Sequence, residues 1–268
     1  MDKDLLNKLQ NAEFKILCDI DDYCRINNIK YSLYAGTMLG AVRHGGFIPW
    51  DDDIDICMTR SEYTRFCQIV KEHPLDGYCF QNFEIDKACM MNHGKLRKNG
   101  TILLSEGERE DIGHHGIWID IFPLDKYSGN KLQAFKTVFY GKLIILFTRA
   151  NQIISAQDNN KRFVNKLIRI IPDVIRQKIL LFAARKLRQY DKSITRDYEW
   201  ISMSALYSFK FKYPDSIIRE YGILNFNGRD FNAFKKYDNI LSIIYGDYMK
   251  LPPESERVCR HNPIKVKL

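Results

Sequence analysis

Long apolar runs are missing from this chain. Uninterrupted ones such as residues 143–147 fall far short of the roughly 18 residues that a membrane-spanning helix needs. The opening stretch MDKDLLNKLQNAEF is charged and periodic and lacks the apolar centre of a secretion signal. Cysteine is present without a pattern. The seven, at positions 18, 24, 57, 67, 79, 89 and 259, show neither C-x-x-C nor zinc-ligand spacing. An odd count without a secretion signal implies reduced thiols, with Cys18 and Cys57 filling core positions. Internal repeats, low-complexity linkers and a recognised nucleic-acid module are absent as well, so no nucleic-acid partner is expected despite the net charge of +8. The expected location is cytoplasmic, with peripheral contact at the inner face of the cell membrane as a further expectation. What is there suffices for a core: 268 residues, 45% of them hydrophobic, make one mixed domain or one domain with a sizeable insertion.

The positive charge is concentrated. Residues 131–192 carry 14 Lys and Arg against three acids (Asp158, Asp173 and Asp191), a net of +11, which leaves the remainder at −3. Phe163, Leu167, Ile170 and Ile171 recur at helical spacing, as do Ile175, Ile179, Phe182 and Ala183, with Pro172 between the two runs. Basic helices with an apolar stripe fit an anionic membrane surface. They equally fit a helical subdomain packed on a catalytic core with a solvated basic face. The expected division is a core over residues 1–130, a basic helical insertion over 131–195, and a return to the core over 196–268.

The chemistry-bearing segment is YAGTMLGAVRHGGFIPWDDDIDICM, residues 34–58. Asp51, Asp52, Asp53 and Asp55 fall within five residues, and Asp53 and Asp55 alternate with Ile54 and Ile56. On a strand the two isoleucines point into the core and the two carboxylates share the opposite face. Adjacent carboxylates repel unless a cation lies between them. An all-oxygen site of this kind suits Mg²⁺ or Mn²⁺. Upstream, Gly36-Thr37 reads as a turn before a helix beginning near Met38, where free N–H groups favour an anion. Taken singly, an acidic cluster is a solvated loop and Gly-Thr a turn; together they read as a metal site facing a phosphate cradle.

A third acid lies in GIWIDIFPLD, residues 116–125. Ile117, Ile119 and Ile121 alternate with Trp118, Asp120 and Phe122, so Asp120 is a lone acid in an apolar run. Burying it unpaired costs several kcal/mol, so a partner is required: a Lys or Arg, or a shared metal. Many two-metal sites need a third acid, which favours the second reading.

The remaining pattern predicts a helix over residues 4–27, a strand over 31–34, the Asp53/Asp55 strand over 54–58, and a helix from a Ser61 cap to about Lys71. Strands follow near 79–83, 89–97 and 117–122. Asn227-Gly228 marks a hairpin, and a last helix over 237–245 ends at Gly246.

These blocks resemble the LicD family. The run AGTMLGAVRHGGFIPWDDDIDICMTRSEYTRF is similar to its signature, and GIWIDIFPLD and YGDYMKLPPESERVCRH resemble its second and third blocks, in family order. The resemblance implies an α+β, nucleotidyltransferase-like fold of the DNA polymerase beta type, with a mixed sheet flanked by helices. It implies transfer of a phospho-substituent, most often phosphocholine from CDP-choline, to a hydroxyl of a cell-surface glycan or lipid-linked saccharide, with CMP released. Ribitol or glycerol phosphate from a CDP-polyol is the runner-up. A nucleotidyltransferase releasing pyrophosphate and an inactive scaffold are the alternatives from other classes. In the family motif the acid at Asp51 recurs, which adds it to a metal shell of Asp53, Asp55 and Asp120 around two Mg²⁺ or Mn²⁺ ions.

Further substrate contacts are expected from Gly36, Thr37, Arg43 and His44, since a guanidinium matches two phosphate oxygens. Lys95 and Arg97 alternate on a strand and face either the diphosphate or solvent. Trp50 offers an aromatic face to a quaternary ammonium or is a core residue. His115 precedes the Asp120 strand. Asp247 and Arg257 form one salt bridge or contact substrate, and Gly246 and the Pro252-Pro253 pair read as a helix stop and a rigid turn.

Overall fold

The structure is a computed structural model; it describes residues 2–86, 91–105, 110, 113–148, 159–203, 209–261 and 263–268. The chain opens with helix α1 (Lys3–Ile26), capped by Asp2, whose carboxylate accepts from the Leu5 N–H at 2.8 Å. Leu9, Ile16, Leu17 and Ile20 recur along its inner stripe and are fully buried, each contributing about 1.5–3 kcal/mol relative to exposure. Strand β1 (Ser32–Leu33), helix α2 (Ala35–His44), strand β2 (Asp55–Thr59) and helix α3 (Arg60–Glu72) follow. Then come β3 (Tyr78–Gln81), β4 (Gly94–Lys98), β5 (Ile102–Ser105) and the long β6 (Trp118–Ser128).

The main sheet runs β1-β2-β6-β4-β3. Its centre is the parallel pair β2 and β6, with Asp55 in register with Asp120 and Thr59 with Leu124. Ile56, Cys57 and Met58 are all buried, as a central strand covered on both faces requires. The far end of β6 pairs antiparallel with β7 (Tyr198–Ser202), which pairs with β8 (Lys212–Pro214). Parallel and antiparallel pairs thus share one mixed sheet flanked by helices.

Between β6 and β7 lie helices α4 (Lys131–Thr148), α5 (Asn159–Ile170) and α6 (Asp173–Ser193). Their inner faces form a second core, in which Ile144, Phe147, Ile168, Leu180 and Leu187 meet Ile201 and Met203. After β8 the chain forms α7 (Asp215–Ile218) and the hairpin β9 (Tyr221–Phe226) and β10 (Arg229–Phe234). At its turn, Asn227 and Gly228 have φ of 50° and 80°, the left-handed pair that matches strand twist. The Asn227 N–H donates to Gly45 O at 2.8 Å, docking the hairpin on the end of α2. Helix α8 (Tyr237–Tyr245) stops at Gly246, and β11 (Pro263–Lys267) pairs with β5.

Several expectations shift. Helix α2 starts at Ala35, so Gly36 and Thr37 lie in its first turn rather than in a turn before it. Strand β2 starts at Asp55, which leaves Asp53 on the approach to the strand. Thr59, not Ser61, occupies the N-cap of α3; its hydroxyl lies 3.1 Å from that of Ser61. The strand expected over 89–97 is confined to Gly94–Lys98, while residues 87–90 lie outside the described ones.

Candidate functional site

Three pieces of backbone build the site. The Asp120 N–H donates to Ile54 O at 2.9 Å, which locks the approach to β2 against β6. The Asp55 N–H donates to Thr37 Oγ1 at 2.7 Å, tying β2 to the first turn of α2. Gln10 on α1 donates to Asp51 O at 2.8 Å. Gly36 is required where it stands: a Cβ there would lie 2.7 Å from Asp51 Oδ2. Asp51 therefore rests against the N-terminus of α2, where partial positive charge favours a carboxylate.

The result is a chamber of acids. Asp51, Asp52 and Asp53 bring ligand oxygens within 4.8 Å of one another. Asp55 and Asp120 stand side by side on the parallel strands. Glu13 of α1 adds a further acid, 1% exposed, with no hydrogen-bond partner at Oε2 among the described residues. Burial, and then the charges of Asp53, Asp52, Asp51 and Asp120, raise its pKa well above the usual carboxylate range. Burial and neighbouring acids act in the same direction elsewhere: Asp51 is pushed up to about 8, and Asp55 is raised well above its ordinary value. Burial raises Asp53 too, against the opposing charge of His261.

Asp52 and Asp120 go the other way. Asp52 is buried and already engaged by the C-terminal block: it accepts from the Arg260 and His261 N–H groups at 3.2 and 3.1 Å and meets His261 Nδ1 at 3.2 Å. These bonds outweigh burial and lower its pKa. Asp52 thereby pins the C-terminal block over the site, and His261 Nε2 lies 3.8 Å from Asp53. The His261 pKa is raised, since its contacts with Asp52 and Asp53 overcome the burial that lowers it. At Asp120, burial is outweighed by Lys95 and His93, which hold the carboxyl well below its usual range. Lys95 Nζ donates to Oδ2 at 3.1 Å and lies 2.9 Å from Oδ1; His93 Nε2 lies 3.2 Å from Oδ1. Both nitrogens thus crowd Oδ1 as ion-pair partners, without an aligned hydrogen bond to it. A buried Glu13 oxygen without a partner, in a donor set of carboxylates, fits a hard divalent cation.

The other expected contacts divide. Lys95 and Arg97 are buried rather than solvated, 4.0 and 4.9 Å from the centroid of the Trp118 ring. Arg43 donates to Tyr248 O at 2.7 Å and so ties α2 to the C-terminal block. Trp50 lies beneath the Arg257 guanidinium, 5.6 Å from its ring, with the His44 ring edge-on at 6.3 Å. His115 lies in the loop before β6, against Glu110 O at 3.2 Å. Asp247 is exposed, and Arg257 donates to Pro252 O and lies 3.9 Å from Glu254, so the expected Asp247–Arg257 bridge is not formed.

The sequence pattern singles out neither Glu13 nor His93. Both left a signal. Glu13 interrupts the buried stripe Leu6, Leu9, Ile16 and Ile20 of α1. His93 stands two residues before Lys95, in the alternation that continues to Arg97.

Residues 28–142 match the family model described as LicD/FKTN/FKRP, nucleotidyltransferase domain. Over 273 residues the chain is 30% identical to the lipopolysaccharide cholinephosphotransferase LicD of Haemophilus influenzae, covering 96% of this chain and 97% of that protein. The chain belongs to the LicD family. Uncharacterized relatives in Rickettsia typhi and Rickettsia prowazekii match at 31% over 130 residues and 28% over 128, spanning 48% and 46% of this chain and 40% and 48% of theirs. The family match covers the aspartates of the chamber from β1 to β6, while the LicD match extends over nearly the whole chain.

Proposed function

We propose that this LicD-family chain is a metal-dependent transferase with a nucleotidyltransferase-like core. It moves phosphocholine from CDP-choline to a hydroxyl of a cell-surface glycan precursor and releases CMP. The observation that carries the reading is the crowding of acids: Asp51 and Asp53 with ligand oxygens within 4.8 Å, Asp55 in register with Asp120, and a buried Glu13 oxygen without a partner. The full-length likeness to a cholinephosphotransferase supports the choice of phosphocholine.

Asp51, Asp53, Asp55 and Asp120 would hold Mg²⁺ or Mn²⁺, two ions being the number such carboxylate sets serve. The metal would offset charge on the diphosphate and on the transferred group. The chain's own residues do the rest. Lys95 keeps Asp120 ionised, so Asp120 acts as a charged ligand and is a weak proton acceptor. Thr37, through the Asp55 N–H, fixes the strand that presents Asp55. The acceptor oxygen attacks the distal phosphorus in line as the bond to CMP breaks. Its proton passes to Asp53, whose side chain keeps 24% of its surface exposed. His261, beside Asp53, supplies positive charge at the rim.

The test incubates the protein with CDP-choline, CDP-ethanolamine, CDP-glycerol and CDP-ribitol, with Mg²⁺ or Mn²⁺ and a membrane extract as acceptor source. The expected outcome is metal-dependent CMP from CDP-choline, lost in Asp53→Ala. CMP from a CDP-polyol alone would replace the head group, and pyrophosphate from a nucleoside triphosphate would replace the reaction.

A further inference from the structure

We infer that the outer face of α4, α5 and α6 docks on an anionic bilayer surface. This extends the acceptor side of the reading above, since a lipid-linked saccharide presents its hydroxyl at such a surface, but its evidence is independent of the acidic chamber. Of the large apolar side chains left exposed among the described residues, more than half lie on these three helices. On α4, Leu132, Phe135 and Phe139 form one stripe; on α5, Phe163, Leu167 and Ile170 form another. Phe135 is 68% and Ile170 76% exposed. A helix in water turns such a stripe inward. Here the inward faces are already filled by Ile144, Ile168, Leu180 and Leu187.

The exposed rings join across helices. Phe135 stacks on Phe139 at 6.3 Å, Phe139 meets Tyr140 at 5.2 Å, and Tyr140 meets Phe182 of α6 at 6.0 Å. Cations border this ridge: Arg185 and Lys186 each lie 5.6 Å from the Phe182 ring. Two grooves, of about 460 and 390 Å³, share Arg185 and Arg188. Arg188 is neutralised by Glu84, and Arg60 in the larger groove by Asp125. Lys178, Arg185 and Lys192 form no ion pair among the described residues and are left for an external phosphate.

Charge selects the occupant. A second copy would bring another segment of net charge +11 against the first, which repels. A purely polyanionic partner would leave the aromatic ridge in water. An anionic bilayer satisfies both, taking apolar side chains at the headgroup boundary and pairing cations with phosphates. No helix among the described residues is long and apolar enough to cross a membrane, so the contact is at the surface.

The experiment sediments the full-length protein with vesicles of phosphatidylcholine alone and of phosphatidylcholine with phosphatidylglycerol, at low and high salt. The expected result is binding to the anionic vesicles, weaker by roughly tenfold or more on neutral ones and reduced by salt. Phe139→Ser with Phe182→Ser, and separately Lys178→Glu with Arg185→Glu, each weaken binding by about tenfold or more without lowering the melting temperature. Asp53→Ala binds as the parent does, so failure of the catalytic reading leaves this result standing. Absence of binding to both vesicles, equal binding to both, or a dimer in light scattering that the two Phe→Ser changes abolish would overturn the assignment.

Discussion

Two buried aspartates on β6 make the clearest contrast in the molecule. Asp125 receives the Arg60 guanidinium through two bonds of 2.7 Å each, a complete bidentate pair. Asp120, five residues earlier and about 16 Å back along the strand, holds Lys95 and His93 at close range but in no bidentate pair, and stands among further acids. Both lie within a few per cent of full burial. A buried charge whose bonds are complete holds the fold together. One in a less regular pairing, beside acids whose ionisation their shared charge disfavours, stands where a bound cation would favour the ionised set. The same strand thus ends in a structural clamp beneath the basic helices and begins in the proposed site.

Substitutions separate the two ends. The largest effect belongs to the chamber: Asp53→Ala or Asp55→Ala lowers kcat for CMP release by on the order of 10³-fold or more, with little change in the melting temperature. Next is the clamp. Arg60→Ala leaves Asp125 buried without its partner and costs about 3–5 kcal/mol in denaturant unfolding, while turnover per folded molecule at low temperature stays near that of the parent. Reversed outcomes, with activity lost at Arg60 and stability lost at Asp53, would erase the distinction.

Glu13→Gln sharpens it. The side chain keeps its size and loses the ability to ionise, so folding is unchanged while the metal dissociation constant rises about 10–100-fold in calorimetry. The smallest effect is at Asp191, where burial and then the charge of Asp125 raise the pKa to about 6. A carboxyl whose folded pKa lies above its unfolded value binds more protons in the native state between the two. Stability from this group is therefore greatest below about pH 4 and falls as pH rises towards about 6. Asp191→Asn removes that slope and stabilises the protein at pH 7 by about 1–2 kcal/mol in denaturant melts.

Much of the site was legible because alternation marks strands. Ile54 and Ile56 are buried as the pattern requires, and Asp120 shares a register with Asp55 across a strand pair that spacing alone does not reveal. The hairpin at Asn227-Gly228 and the stop at Gly246 were legible because each needs a left-handed backbone. The contribution of Glu13 was hidden: a single acid on an apolar stripe acquires meaning only when α1 packs over Asp51–Asp53. Asp52 and His261 are likewise remote in sequence, and their bond appears only in the folded chain. The Asp247–Arg257 bridge failed because the tight turn after Pro252 gives Arg257 a nearer acceptor in the Pro252 carbonyl.

The most direct measurement is a Mn²⁺ titration of metal-free protein, followed by calorimetry on the parent and on Asp53→Ala, with Arg60→Lys as a control for the clamp. The account predicts saturable binding by the parent, retained in Arg60→Lys and lost in Asp53→Ala. A parent that binds no Mn²⁺, or an Asp53→Ala variant that binds it equally well, would contradict the claim that the Asp120 end of β6 is a metal site.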